Sequence, residues 1–201
     1  HKGSKDKDII KFGAEEGHIR IILEKDGLDY RIDMHLRKSK SKGIAINCER
    51  IKKASELVGL LNVVLFSPED LNIIKDGPAY RRRFVDMELC QLDQFYIYNL
   101  TNYNKIINNR NVLLKDLYYN PSLRETLTIW DTQLESYGSK IIERRAQFCE
   151  QLNEIIYDIH QKLSGGKEEI KIIYEPNVSA SEIGTMLQKC QDKDIKTKMT
   201  S

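Results

Sequence analysis

The residues best suited to bind charged ligands lie between Ser67 and Arg83. Ser67 and Pro68 have the types that begin a helix, and Glu69 and Asp70 follow in its first turn, where carboxylates interact favourably with the helix dipole. Carboxylates at this place could also face a bound Mg²⁺, although ordinary helix capping explains them without any ligand. The residue types therefore leave both interpretations open.

Three consecutive arginines, Arg81, Arg82 and Arg83, follow in the first turn of the next predicted helix. Consecutive residues are separated by about 100° around a helix axis, so the three side chains cannot share one face. At most two of them can reach a common partner. A guanidinium group suits both an ion pair with a carboxylate and a contact with a phosphate. The acidic candidates for such an ion pair are Glu69, Asp70 and Asp86.

A short polar loop between two predicted strands carries four cations in six residues, namely Arg37, Lys38, Lys40 and Lys42. A flexible basic loop could contact a DNA backbone without sequence preference, although lysines are also common in solvated hairpin loops. Tyrosines on the first long helix could stack on bases, but their helical spacing favours packing against a neighbouring helix. These tyrosines are Tyr80, Tyr96, Tyr98 and Tyr103.

The sequence contains no recognisable catalytic or metal-binding motif. The histidines fall in different predicted elements and show no metal-ligand spacing, so no metal site is predicted; they are His1, His18, His35 and His160. Neither the nucleophile motif G-x-S-x-G nor the phosphate-binding motif G-x-x-x-x-G-K-[ST] occurs. The four cysteines form no C-x-x-C pair, which indicates reduced thiols rather than a zinc site or a disulfide framework.

The composition is that of a globular protein rather than of a disordered chain. Its 201 residues are 40% hydrophobic and 31% charged, enough for one or two domains with a core. The net charge of +2 is too balanced to indicate a nucleic-acid or membrane partner by itself. No bilayer-spanning run or signal peptide is recognisable, so we expect a cytoplasmic protein. Because the sequence begins with His1 rather than Met, we also expect an internal fragment.

The first third of the chain alternates apolar and polar residues around Asp26-Gly27, which is a strong hairpin signal. We predict strands near residues 18–25 and 28–38, a third short strand at IAINC and a short helix at KKASELVG. The run LNVVLFS is continuously apolar, which predicts a strand buried on both faces.

Two long helices are predicted in the middle of the chain. The first begins at Pro78 and continues to about Leu117, because no Pro or Gly interrupts it. The second runs from about Leu123 to Leu163, with apolar residues in 4-3 alternation and a break in phase around 141–148 that indicates a stutter. We expect the two helices to pack antiparallel. A strand at EEIKIIYEP and a final helix at ASEIGTMLQKCQDKDI follow.

These elements predict an α/β (α+β) fold in three parts. Residues 1–77 form a β-rich part with a hairpin, a buried strand and short helices. Residues 78–165 form a helical insertion, and residues 166–201 supply a strand and a helix that return towards the first part.

Three segments together resemble one bacterial protein family. They are VLFSPEDL from Val64 to Leu71, GPAYRRRFVD from Gly77 to Asp86, and RNVLLK from Arg110 to Lys115; the flanking sequence agrees over essentially the whole chain. The sequence is similar to the RecF family of DNA replication and repair proteins, which are SMC/ABC-like ATPases. The resemblance implies part of an ABC-type ATPase head with an inserted lobe of two long antiparallel helices.

The resemblance implies that this chain is the middle of a longer protein. The family's Walker A motif would precede His1, and its signature motif and Walker B motif would follow Ser201. Full-length members would use ATP and Mg²⁺, form an ATP-dependent homodimer and hydrolyse ATP slowly in the presence of DNA. The chain alone should then bind no nucleotide tightly and should be inactive.

Partners are implied by the same resemblance. Family members act at single-strand/double-strand junctions of gapped DNA, together with RecO and RecR, to promote loading of the recombinase RecA. A competing interpretation treats the chain as a non-enzymatic helical hairpin that binds a protein partner.

The resemblance also implies roles for particular residues. Ser67, Glu69 and Asp70 would occupy the place of the Q-loop, which couples nucleotide binding to movement of the helical lobe, and the three arginines would fix that lobe to the head. Lys2 stands where the family has arginine, which keeps the charge but loses the planar fork. The candidate DNA contacts are Lys2, Arg37, Lys38, Lys40, Lys42, Arg81, Arg82 and Arg83.

The letters Leu163-Ser164-Gly165-Gly166 match the signature motif of ABC ATPases. In that motif the serine and glycines precede a helix, whereas here the apolar stripe of a helix leads into them. We therefore interpret Gly165 or Gly166 as the left-handed cap that ends a helix, and we expect no phosphate contact from Ser164.

Overall fold

The computed structural model describes residues 5–117 and 119–201. The described residues fall into two compact units, divided between Val63 and Val64. The first unit is built on a small antiparallel sheet, and the second is built from helices. The predicted mixed α/β fold class is therefore confirmed, while the predicted boundaries at residues 77 and 165 stay a prediction.

The first unit is a meander of four strands in the order β1-β2-β3-β4, and each strand is antiparallel to its neighbours. Asp26 and Gly27 form its first turn with φ values of 54° and 73°, as a two-residue hairpin with the twist of the strands requires. The predicted hairpin is confirmed. The elements of this unit are α1 (Asp6–Ile9), β1 (Glu16–Lys25), β2 (Leu28–Arg37), β3 (Gly43–Ile46), β4 (Glu49–Arg50) and a 3₁₀ turn at Ala54–Leu57.

The core of the first unit lies on one face of this sheet. Ile32 and Leu36 of β2 and Ile44 of β3 are buried there, together with Ile10 from the end of α1. Since side chains alternate along a strand, the intervening residues of β2 point to the opposite face. That second face is polar, and it carries His35 and Asp33.

Two predicted strands are absent from the described part of the chain. Residues 61–67 belong to no strand, and most of their apolar side chains lie in solvent, with Val64 97% and Phe66 78% exposed. Residues 168–176 are likewise outside any sheet; Asn153 pairs its side-chain amide with the N–H and C=O of Ile172, both at 2.7 Å. These two predictions were wrong because a strand needs a neighbouring strand, and neither segment has one among the described residues.

The second unit begins with a 3₁₀ turn at Pro68–Leu71 and contains five helical segments. They are α2 (Asn72–Lys75), α3 (Pro78–Leu92), α4 (Gln94–Asp116), α5 (Leu127–Ser164) and α6 (Ile183–Thr197), with further 3₁₀ turns at Pro121–Thr126 and Ala180–Glu182. The predicted end of the long helix at the two glycines is confirmed: Gly165 has a φ of 64°, and the N–H of Gly166 bonds the C=O of Gln161 at 3.0 Å.

The single helix predicted from Pro78 to Leu117 is broken at Asp93, so α3 and α4 are separate helices. Asp93 has extended backbone angles, and its side chain accepts hydrogen bonds from the N–H groups of Phe95 and Tyr96, at 2.9 and 3.1 Å. Its second carboxylate oxygen accepts from Nε of Arg144 at 2.9 Å. Burial alone would raise the pKa of Asp93, but Arg144 and the two amides lower it overall.

Helices α4 and α5 pack antiparallel, as predicted. Tyr96 near the start of α4 packs with Ile141 of α5, and Leu114 near the end of α4 packs with Leu127 at the start of α5. The buried face of α5 does not coincide with the predicted apolar stripe. Asp131 and Gly138 are buried, whereas the neighbouring apolar residues Trp130 and Tyr137 are only half-buried. The buried residues of α5 are Leu127, Asp131, Leu134, Gly138, Ile141 and Cys149.

A buried arginine joins three helices between the two apolar clusters. Arg110 of α4, with no exposed surface, contacts Asp131 of α5 through Nε and Asp194 of α6 through Nη1, both at 2.7 Å. The same Nη1 donates to Oγ1 of Thr200 at 3.0 Å, and the N–H of Ser201 donates to Asp194 at 2.9 Å. Buried charges persist only when they are paired in this way, so this cluster fixes how α6 lies against α4 and α5.

In the described residues, no helix has the length and apolar character that crossing a membrane requires.

Replacing Arg110 by alanine should lower the free energy of unfolding by about 3–5 kcal/mol, because two buried carboxylates lose their counter-charge. Urea unfolding followed by circular dichroism measures the loss. A matched control is Arg124→Ala, which removes an exposed ion pair to Asp192 and should cost at most about 1 kcal/mol. Equal losses for the two variants would contradict the role of Arg110.

Replacing Asp93 by alanine should cost about 1 kcal/mol at neutral pH, because the first turn of α4 loses its cap. Since the folded-state pKa of Asp93 is lowered, its contribution is present above the ordinary aspartate pKa of about 3.9 and is lost as the pH falls through the folded-state value. The free energies of unfolding of the unmodified protein and of Asp93→Ala should therefore differ at neutral pH and converge at acidic pH. Asp93→Asn, which keeps the cap and loses only the charge facing Arg144, should lie between them.

Candidate nucleic-acid interface

A cleft of about 490 Å³ opens in the second unit between the start of α3, the middle of α5 and the extended segment 172–177. Its cations come from Arg81 and Arg82 on α3 and from Arg145 on α5, and Glu175 supplies a carboxylate. The segment is held beside α5 by the paired hydrogen bonds of Asn153. The cleft therefore gathers two of the three consecutive arginines with a third that is distant in sequence.

The start of α3 positions Arg81 and Arg82. Gly77 is the residue before the helix and Pro78 takes its first position, as suits a residue that lacks an N–H. Arg81 donates through Nη1 to the C=O groups of Asp76 at 2.9 Å and Ile73 at 3.3 Å. It therefore binds the carbonyl end of α2, where the helix dipole favours a cation.

Arg82 is exposed beside the same cleft, whereas Arg83 is exposed but does not line it. This separation follows from the step of about 100° between consecutive helical residues. Arg82 is thus the candidate whose charge solvent and a ligand can both reach.

Arg145 lies at the inner wall of the cleft in a network with Asp86 of α3 and Tyr96 of α4. Its Nη2 lies 2.7 Å from Oδ1 of Asp86, and its Nε donates to the same oxygen at 3.0 Å and to the Tyr96 hydroxyl at 2.9 Å. The Tyr96 hydroxyl in turn donates to Asp86 at 2.5 Å. One carboxylate oxygen thus joins three helices.

The protonation states in this network are fixed by its partners. Burial and the hydrogen bond to Asp86 both raise the pKa of Tyr96, so the phenol stays neutral. Burial alone would lower the pKa of Arg145, but Tyr96 and Asp86 raise it overall. Arg145 therefore remains a cation, and Asp86 balances its charge.

With Arg145 balanced, the cleft keeps a surplus of positive charge from Arg81 and Arg82 over Glu175. A guanidinium group can bind a phosphate through two parallel hydrogen bonds. Arg81 already uses Nη1 for helix carbonyls, so Arg82 offers the more accessible contact. The arrangement suits one phosphodiester group of a nucleic-acid backbone and shows no base-reading geometry.

Ser67 and Asp70 cap the 3₁₀ turn that precedes α2. Oδ2 of Asp70 accepts from the N–H of Ser67 at 2.7 Å and from its Oγ at 3.1 Å, and the N–H of Asp70 donates to the C=O of Ser67 at 2.9 Å. Glu69 is exposed. Oxygen ligands suit Mg²⁺, but Asp70 already serves the cap and no glycine-rich phosphate loop accompanies it. These residues alone do not fit a nucleotide-phosphate site, and their Q-loop role stays a prediction.

The basic loop after β2 belongs to the first unit, and two of its cations have acidic neighbours. Lys38 Nζ lies 3.5 Å from Glu15 Oε1, and Lys42 Nζ lies 3.3 Å from Asp6 Oδ2. Arg37 donates through Nη2 to the C=O of Ser41 at 3.1 Å, and Lys40 is exposed. Exposed ion pairs contribute little stability, so these lysines can exchange carboxylate for phosphate. Lys2 lies outside the described residues.

The tyrosines of the predicted stacking face have mainly internal roles. Tyr96 is buried in the network above, and burial also raises the pKa of Tyr103. The Tyr80 hydroxyl donates to the C=O of Glu69 at 3.2 Å. Tyr98 is exposed and makes an edge contact with the Tyr137 ring, with centroids 6.1 Å apart. Packing therefore accounts for this face.

Arg145 is the cleft residue that the sequence did not single out. It lies inside the phase break at 141–148, so an inward charge interrupts the apolar stripe of α5 at that point. Its partner Asp86 ends the GPAYRRRFVD segment. The signal in the sequence that could have identified Arg145 is a charged residue at an inward helical position. The sequence does not identify its partner, which is 59 residues away.

Comparison with known proteins covers the whole chain. No protein-family model matches it. It is 56% identical over 201 residues to the DNA replication and repair protein RecF of Agathobacter rectalis, and 54% identical over the same length to RecF of Lachnoclostridium phytofermentans. In each case the match includes the entire chain and 56% of the relative, so the chain spans about half the length of these relatives.

The solved structures give the same answer. A structure of the recombination mediator protein RecF-ATPrS in the RecFOR pathway superposes with a TM-score of 0.87 at 30% identity, covering 99% of this chain and 56% of that one. A RecF-ATP structure gives a TM-score of 0.85 with the same identity and coverage. Agreement in sequence and in fold over the full chain shows that it belongs to the RecF family of DNA replication and repair proteins.

Proposed function

We propose that this chain is the central part of a DNA-binding ATPase that serves recombinational repair and replication restart. In this proposal the full-length protein acts at gapped DNA with RecO and RecR and promotes loading of RecA in the bacterial cytoplasm. The sequence identity to RecF proteins along the whole chain supports it, as does the fold shared with a recombination mediator of the RecFOR pathway.

The proposed division of labour follows the predicted parts of the chain. Residues 1–77 contribute to the ATPase head, residues 78–165 form the helical lobe, and residues 166–201 return towards the head. ATP and Mg²⁺ bind the full-length protein and promote its homodimerisation. The phosphate-holding residues lie in other sequence, since the carboxylates at Glu69 and Asp70 do not fit that task alone. Their proposed task is to couple nucleotide binding to the lobe.

The observation that carries the DNA-binding part is the arginine cleft of the second unit. Arg82 is exposed at its edge, Arg81 is fixed beside it, and the Asp86 carboxylate that could otherwise neutralise them is held by Arg145. The basic loop with Lys40 supplies a further contact. Because these cations face phosphates rather than base edges, binding is independent of sequence and depends strongly on salt.

DNA binding can be measured by fluorescence anisotropy with a gapped duplex at several salt concentrations. Arg82→Gln should weaken binding, and it should reduce the slope of log affinity against log salt by about 1, as loss of one phosphate contact requires. Lys40→Gln should act in the same direction. Arg124→Gln, an exposed arginine outside the cleft, should leave the slope unchanged. If the unmodified chain shows no salt-dependent binding, the competing protein-interaction module is favoured instead.

The coupling role can be tested in the full-length protein. Glu69→Ala and Arg82→Ala should each reduce DNA-stimulated ATP hydrolysis by more than they change hydrolysis without DNA, because Glu69 acts between the nucleotide and the lobe and Arg82 contacts the DNA on that lobe. Glu150→Ala, an exposed carboxylate on α5, serves as the control. Unchanged ATP affinity and DNA stimulation in both variants would rule the coupling role out.

A further inference from the structure

The polar face of the sheet in the first unit brings two histidines together. His18 of β1 and His35 of β2 are directly opposed in the antiparallel register, and their rings stack with centroids 4.1 Å apart and planes 19° apart. Glu16 lies two residues before His18, so its side chain points to the same face. Three potential metal ligands therefore share one small patch.

The ligand atoms of this patch are already close. One ligand atom from each of Glu16, His18 and His35 can be chosen so that all lie within 4.8 Å of one another. His35 Nε2 lies 2.8 Å from Oε2 of Glu16. The side chains are exposed or half-exposed, which leaves an open path for an ion.

Two imidazoles and one carboxylate form a ligand set that Zn²⁺ uses in proteins. With metal–ligand distances of about 2.0–2.2 Å, tetrahedral coordination places ligand atoms roughly 3.3 Å apart. Because a metal lies in the plane of each imidazole ring that binds it, the two stacked rings must turn about their side-chain bonds to converge on one ion. The hydrogen-bonded register and the Asp26-Gly27 turn hold the two strands fixed while they do so.

Nearby charges set the strength of such a site. Arg20 and Arg31 lie on the same face and share the Asp33 carboxylate, each with Nε 2.6 Å from one of its oxygens, so Asp33 offsets only part of their repulsion. Arg37 is opposite Glu16 in the register and donates to the C=O of Ser41. The Arg37 guanidinium acts on the Glu16 carboxylate, and it therefore competes with a cation at this patch.

We propose that Glu16, His18 and His35 form a binding site for a Zn²⁺-class divalent cation that clips β1 to β2 and leaves one coordination position open. The proposal goes beyond the DNA-binding function and does not depend on it. It also explains why sequence spacing predicted no metal site. His18 and His35 are 17 residues apart, so only the antiparallel register brings them together.

The test uses the 201-residue chain freed of metal with a chelator. Titration calorimetry should show a single Zn²⁺ site, and Co²⁺ should give the visible absorption bands of low-symmetry four- or five-coordinate metal. Because loss of even an outer-shell partner costs roughly 10- to 100-fold in affinity, His18→Ala and His35→Ala should each cost at least about 100-fold. Glu16→Gln should weaken binding, and Arg37→Gln should tighten it severalfold.

His160→Ala is the matched control, because His160 lies outside the patch, and its Nε2 is 3.8 Å from Oε2 of Glu168. It should bind Zn²⁺ like the unmodified chain. Affinity should also fall as the pH is lowered, because imidazole and carboxylate ligands must release protons to bind the metal.

Two outcomes would overturn the proposal. One is Zn²⁺ binding that survives the double change His18→Ala and His35→Ala. The other is the absence of Co²⁺ bands in the unmodified chain, a readout that does not depend on whether any variant folds. DNA-binding measurements on the same variants keep this result separate from the proposed function.

Discussion

The ion cluster around Arg110 is the interaction on which the helical unit depends. A guanidinium group without exposed surface is stable only where carboxylates approach it from fixed directions. Asp131 and Asp194 supply them from α5 and α6. The apolar clusters on either side could tolerate small sliding of the helices, because dispersion contacts are not directional. The charged cluster could not, and so it sets the register of α4 against α5 and the position of α6.

A second inward arginine, Arg145, also joins three helices, but at a different place in the unit. Arg145 holds Asp86 and Tyr96, so it links α3 to the α4–α5 pair on the side where the cleft lies. The charge of the cleft follows from this pairing. Arg145 is paired with Asp86 at the inner wall, whereas Arg81 and Arg82 are exposed and keep their positive charge. The paired inner arginine and the exposed arginines are separated by burial, not by residue type.

The sequence predicted those elements whose backbone conformation depends on residue types and spacing close together in the chain. The Asp26-Gly27 turn, the glycine end of α5 and the antiparallel pairing of the long helices all followed from residue types and spacing. The segments at 61–67 and 168–176 could not be settled in that way, because apolar residues favour a strand only if another strand is available. The break at Asp93 was missed because an aspartate can end one helix and cap the next without any proline or glycine. Within the sites, the three arginines and the basic loop could be named from the sequence. The inner ion pairs of the helical unit could not be named, because Arg110 and Asp194 are 84 residues apart and Arg145 and Asp86 are 59 apart.

The length of α5 has a mechanical consequence. Its 38 residues make a rod of about 57 Å. Core contacts hold the rod from Leu127 to Cys149, whereas Ile155, Ile159 and Leu163 beyond them are mostly in solvent. The helix therefore continues roughly 22 Å past Cys149, and in this part Asn153 is bonded to Ile172 of the neighbouring segment. A small tilt of α5 at Cys149 is therefore magnified at its C-terminal end.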